Sequence, residues 1–137
     1  MNGRFLIDTN IVIALFANDS AVKQHLGNAI EVFTPAIVLG ELYYGAYKSS
    51  RVKENTTRIS DFATHNAVLL CDTATAQWYG QIKDGLRKKG RPIPENDIWI
   101  AAVAVQNDLT LVTRDDHFRE IDGLHVERWC EGNRGRP

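Results

Sequence analysis

The sequence predicts an α/β fold, a three-layer sandwich with a mainly parallel sheet of four to five strands and helices on both faces. Two observations predict it. Short apolar runs alternate with longer stretches of helical period, the order of repeated βαβ units. The runs are also apolar on successive positions, as in strands covered on both sides. The chain has 137 residues, 44% of them apolar, which suits one domain with a substantial core. No internal repeat or linker divides it, so residues 1–130 are expected to form one domain and the polar, Gly-rich stretch 131–137 a loose tail.

The elements follow in order. Residues 4–8 read as a short buried strand, "RFLID". Thr9 is expected to cap a helix through "NIVIALFA", and Asn18-Asp19-Ser20 breaks it and starts a second helix to about Ile30. "EVFT" is a second strand. Thr34-Pro35 supplies a cap and a first-turn proline for "AIVLGELYYGAYKSS". A helix from Arg51 to about Thr64 has Val52, Ile59, Phe62 and Ala63 as its apolar side. "AVLL" (67–70) is a third strand, and Asp72-Thr73 starts a long helix through Trp78, Tyr79, Ile82 and Leu86. "KKGRPIPEN" is a loop punctuated by Gly90, Pro92 and Pro94. "IWIAAVAVQ" is apolar on nearly every side and reads as an internal helix. "LTLVT" (109–113) and "LHVER" (124–128) are the fourth and fifth strands. Trp78 and Trp99 are expected in the core. Tyr43, Tyr44 and Tyr47 are read mainly as packing residues, with stacking on bases as the other role.

Composition excludes several classes. Sixteen Lys and Arg against seventeen Asp and Glu give a net charge of −1, unlike a protein that grips a polyanion over its whole surface. Cys71 and Cys130 match neither a disulfide framework nor a zinc spacing, which suggests two free thiols in a reducing cytosol. No signal-peptide pattern opens the chain and no apolar run approaches about 18 residues, so the expected location is cytoplasmic, away from membranes.

The chemistry lies in the carboxylates. In open parallel sheets ligands bind beyond the carboxyl ends of the strands. "FLIDTN" places Asp8 at such an end, and "LVTRDD" places Asp115 and Asp116 just past another. Glu41 has Ile37, Val38, Tyr44 and Gly45 as its helical neighbours, an apolar face that should bury it in part. Asp97 opens the internal helix, where an acid also suits the helix dipole. Taken singly, Asp97 reads as a capping acid and Asp115 and Asp116 as loop acids. Taken together, four acids in one cleft would repel one another and take up protons unless divalent cations offset the charge. Carboxylate oxygens suit Mg²⁺. His25, His65, His117 and His125 are scattered and read as surface or packing residues.

These stretches resemble the PIN-domain nucleases and, within them, the VapC-like toxins of bacterial toxin–antitoxin pairs. The marks are "LIDTNIVI", "TPAIVLGELYYGA", "PENDIWIAA" and "LVTRDDHF", in this order across residues 4 to about 128. The resemblance implies that Asp8, Glu41, Asp97 and Asp115 hold the metal, with Asp116 as an open substitute for Asp115. Asn10 and Thr113 match polar positions that orient those acids. It further implies Mg²⁺-dependent endonucleolytic cleavage of RNA, with Mn²⁺ able to substitute, a small VapB-like antitoxin partner and a homodimer. Water attacking the phosphate would leave 5′-phosphate and 3′-hydroxyl ends.

Local positive charge is expected to grip the substrate. Arg114, beside Asp115, is one candidate. Lys83, Arg87, Lys88, Lys89 and Arg91, just upstream of Asp97, are others, with a solvated helix end as the alternative. The antitoxin is expected in an apolar groove between the second and fourth helices. Two competing readings remain at this stage. One is a receiver-type phosphoacceptor domain using Asp72, although no Lys-Pro follows the last strand. The other is a catalytically silent PIN-fold binding module. A phosphatase of the haloacid dehalogenase type needs Asp-x-Asp, where this chain has Asp8-Thr9-Asn10.

Overall fold

A computed structural model describes residues 3–130. Five strands and six helices run β1 (Arg4–Ile7), α1 (Thr9–Phe16), α2 (Ser20–Asn28), β2 (Glu31–Pro35), α3 (Ala36–Lys48), α4 (Val52–Thr64), β3 (Ala67–Leu69), α5 (Thr73–Lys89), α6 (Glu95–Gln106), β4 (Thr110–Val112) and β5 (Val126–Glu127), with a 3-10 helix at Asp116–Glu120. The tail 131–137 lies outside the described residues. No helix among them is long and apolar enough to cross a membrane.

The strands form one all-parallel sheet in the order β3-β2-β1-β4-β5. The first strand is therefore central, flanked by β2 and β4 with Leu6 opposite both Phe33 and Leu111. Phe5, Leu6 and Ile7 are all buried. Successive strand residues point to opposite faces, so both faces of β1 are covered. Connections from β1 to β2 and β2 to β3 run one way across the sheet, and that from β3 to β4 runs the other. Right-handed crossovers then put α1–α4 and α5–α6 on opposite faces, which completes the three layers.

The apolar run of α6 is explained by its surroundings. Ile98 and the five residues from Ile100 to Ala104 are all buried. α5 lies along it, stopped by Gly90, whose φ of +68° lets its own N–H and that of Arg91 bond to the Arg87 and Leu86 carbonyls. A φ of that sign favours glycine.

Several expectations need correction. Asp8, not Thr9, caps α1, because its carboxylate accepts the Thr9 N–H. Thr34 belongs to β2, its hydroxyl is buried without a partner among the described residues, and Pro35 precedes α3 with no side-chain cap. Lys88 and Lys89 are the last turn of α5 and not a loop. Val52 and Leu70 are exposed. Trp78 and Trp99 are only half-buried, with Trp99 stacked on Tyr79 at 4.0 Å. The core tryptophan is Trp129, edge-on to Phe5 at 5.0 Å. Tyr44 and Tyr47 are exposed. Both cysteines are free, as expected.

Candidate active site

The sheet brings the acids together at the carboxyl ends of its two central strands. Asp8 continues β1 by one residue, its N–H donating to the Val112 carbonyl at 3.0 Å. Its side chain is 5% exposed. One carboxylate oxygen accepts the Thr9 N–H at 2.8 Å and the other the Thr113 hydroxyl at 2.7 Å. These bonds do not fully repay the loss of water. Burial pushes the Asp8 carboxyl from its ordinary 3.8 up to about 6; bonds from Thr113 and Thr9 pull it down, and the charges of Asp97 and Glu41 push it up.

Thr113 ties three parts of the site. Besides donating to Asp8, its hydroxyl accepts the Asp115 N–H at 3.0 Å and the Asn10 side-chain amide at 3.3 Å. Asn10 in turn accepts the Arg114 N–H at 3.2 Å. The turn after β4 is thereby held against the start of α1. Asp115 then caps the 3-10 helix by accepting the His117 N–H at 3.0 Å.

Glu41, on α3, is half-buried as its apolar neighbours require. It accepts the Thr9 hydroxyl through one oxygen and the Asn96 amide at 3.3 Å through the other. Asp97 sits in the first turn of α6. Burial raises its carboxyl, a bond to His117 lowers it, and the charges of Asp115 and Glu41 raise it again. Asp8 therefore feels Asp97 and Glu41, and Asp97 feels Asp115 and Glu41. The four acids share one electrostatic environment.

His117 is exposed, as expected of a surface residue, but it also joins the acids. Its Nδ1 lies 3.1 Å from Asp115 Oδ1 and 3.3 Å from Asp97 Oδ2. Asp116 is exposed and faces Arg128 at 3.0 Å, while Asp115 is the one beside His117 and Asp97. The guanidinium of Arg114 turns to Asp19 at 3.0 Å and the Trp129 carbonyl at 2.8 Å, bracing α2 to the last described residues. Of the other basic residues, Arg87 and Lys88 pair with Asp84, Lys89 with Asp122 and the Glu120 carbonyl, Arg91 with Glu120, and Lys83 with Glu95. None is bonded to the four acids.

Thr9, Asn96 and His117 are the site residues that sequence reasoning missed. Thr9 was legible as the residue after a strand-end acid, but its partner Glu41 lies 32 positions away. Nothing in the sequence pairs Asn96 with Glu41 or His117 with Asp97.

The donor set fits a hard divalent cation. Asp8 and Asp97 have raised carboxyls, each coupled to the charges of neighbouring acids, and one ligand atom each from Asp97, Asp115 and His117 lie within 4.8 Å of one another.

An α/β sandwich with acids gathered at the ends of its central parallel strands is the architecture of a PIN domain, and the PIN domain family matches residues 5–124. The chain belongs to that family. Among curated relatives, it is 35% identical over 129 residues to Ribonuclease VapC2 of Haemophilus influenzae and to the tRNA(fMet)-specific endonuclease VapC of Shigella flexneri, covering 92% of this chain and 98% of each relative. Its fold is similar to that in the crystal structure of DNA-bound VapBC from Salmonella typhimurium, with a TM-score of 0.86, 32% identity and coverage of 93% of this chain and 98% of that one. VapBC2 from Rickettsia felis, bound to a DNA fragment from its promoter, matches with a TM-score of 0.84 at 28% identity, covering 92% and 98%.

Proposed function

We propose that this chain is the ribonuclease toxin of a toxin–antitoxin pair, a cytoplasmic endonuclease that hydrolyses RNA with Mg²⁺, or Mn²⁺ in its place. The charge coupling among Asp8, Glu41, Asp97 and Asp115, with Asp97, Asp115 and His117 gathered within 4.8 Å, is the observation that supports this reading. Relatives named as VapC ribonucleases over nearly the whole chain support it. Asp8, Glu41, Asp97 and Asp115 would hold the cation. When bound, a divalent cation activates water as a nucleophile and offsets the charge that builds on the reacting phosphate.

The chain's own residues prepare that chemistry. Thr113 fixes the carboxylate of Asp8 and the backbone of Asp115. Thr9 and Asn96 fix the two oxygens of Glu41. Ionised Asp8 is the form that accepts a cation, so the site gains affinity as pH rises through about 6. With water rather than the ribose 2′-hydroxyl as nucleophile, the products carry 5′-phosphate and 3′-hydroxyl ends. Arg87 and Lys88 hold only exposed pairs with Asp84, which phosphates flanking the cut can displace at little cost.

A groove of about 400 Å³ runs beside the site, walled by Ile13 and Phe16 of α1, Leu42 and Ala46 of α3, and Ile59 of α4. The wall is thus the first, third and fourth helices; of the two expected, the fourth lines it and the second does not. Its floor reaches Thr9 and Glu41, so an amphipathic segment of a VapB-like antitoxin lying there can deliver a cationic side chain to the acids. We take residues 1–130 as one functional unit that pairs as a homodimer.

The test is cleavage of labelled RNA with Mg²⁺, Mn²⁺ or EDTA, by the native chain and Asp8→Asn. Cleavage needing the metal and lost in the variant is expected; full activity in EDTA or in Asp8→Asn sinks the reading. A silent binding module would bind RNA and never cut it. The receiver reading loses its acceptor, because Asp72 lies past the edge strand β3 and caps α5 through Thr75.

A further inference from the structure

One member of the acid site is not an acid. His117 Nδ1 stands 3.1 Å from Asp115 Oδ1 and 3.3 Å from Asp97 Oδ2. Donor atoms on adjacent vertices of an octahedron with bonds of about 2.1 Å lie roughly 3 Å apart. Two of the three spacings are close to that value and all three atoms lie within 4.8 Å of one another, so the imidazole nitrogen stands where a third ligand would.

The placement is built into the chain. Asp115 accepts the His117 N–H at 3.0 Å, which sets the first turn of the 3-10 helix. The next residue, Phe118, is wholly buried and pins that turn to the core. The ring itself is half exposed, while Asp97 is 14% and Asp115 35% exposed. An ion can reach the three donors from solvent.

We propose that His117 is a metal ligand together with Asp97 and Asp115, and that this nitrogen makes the site select Mn²⁺ over Mg²⁺. Mg²⁺ takes oxygen donors and keeps several waters, so an imidazole adds little to its binding. Imidazole is a good donor to transition-metal ions. The inference rests on the reading that these acids hold a divalent cation, and it adds which cation this chain favours and through which atom.

The experiment is Mn²⁺ binding to the purified full chain, followed by electron paramagnetic resonance, with nitrogen coupling read by electron spin echo modulation and Mg²⁺ as competitor. The comparison variant is His117→Asn, whose amide oxygen falls near the position of Nδ1 and supplies an oxygen donor. The native chain should show directly bound nitrogen and release Mn²⁺ only to a large excess of Mg²⁺. His117→Asn should lose the nitrogen coupling and bind Mn²⁺ about 10-fold more weakly, with its Mg²⁺ affinity little changed. Its thermal midpoint should match the native chain's, because the ring is not part of the core.

Nitrogen coupling absent from the native chain with Mn²⁺ bound, or unchanged in His117→Asn, overturns the proposal. So does a Mn²⁺-to-Mg²⁺ preference equal in the two proteins. In those cases metal-dependent RNA cleavage, measured separately, keeps the proposed function standing. Failure of the chain to bind either ion would bring down both.

Discussion

Asp8 is ionised at neutral pH against its environment, and the cost has a sign. Its carboxyl, raised from 3.8 to about 6, binds a proton more readily in the folded chain than in the unfolded one. Its contribution to stability is therefore fully present below about pH 4 and lost as pH rises through about 6. A shift of that size corresponds to roughly 3 kcal/mol. Asp97 is shifted in the same direction. In EDTA, Asp8→Asn should raise stability at pH 7.5 by about 2 kcal/mol, less than the full shift because the Thr113 hydroxyl loses an ionised acceptor. Urea denaturation at pH 5 and 7.5 checks this, since the gain should shrink at the lower pH. Thr113→Val keeps the shape but removes one donor and one acceptor. It should cost about 1–3 kcal/mol and reduce cleavage roughly 10- to 100-fold, read by denaturation and by initial rates.

At the scale of elements, α6 presents an acid at its start and buries the residues that follow. Ala101, on that helix, is 0% exposed. Ala101→Leu should destabilise the fold by about 1–3 kcal/mol through overpacking, measured as a lower thermal midpoint. The cap of α5 is a contrasting case. Asp72 accepts the Thr75 N–H and the Gln106 amide, and Asp72→Ala should lower the thermal midpoint while leaving RNA cleavage intact. The elements were legible because each carries its own signal: apolar strands, breakers at Asn18–Ser20, Gly90 after a basic last turn. The acids were legible because a carboxylate at a strand end or on an apolar helix face is costly without a partner. What was not legible was partner choice across the chain. Arg114 follows the strand that leads to Asp115, yet its side chain finds Asp19 and a carbonyl at residue 129 instead. Trp129 sits in a polar-looking segment and is buried because β1 offers it Phe5 and α2 offers it His25.

For the whole molecule, the acid site and the apolar groove meet at Thr9 and Glu41, so on the proposed function catalysis and its inhibition would share a border. Ile13 is 54% exposed in that groove and bonded to none of the acids. Ile13→Arg should weaken antitoxin binding by at least 10-fold, measured by calorimetry, and leave RNA cleavage by the free chain unchanged. Loss of cleavage in that variant would show that the groove serves the substrate instead.

The bond from the Thr113 hydroxyl to Asp8 joins residues 105 positions apart. During synthesis the amino-terminal acids leave the ribosome first, and they wait for β4 to emerge and dock beside β1. A nascent chain ending before that strand holds Asp8, Glu41 and Asp97 but neither Thr113 nor Asp115. On the proposed function, cleavage by such a chain would wait until residue 115 has emerged and docked beside β1.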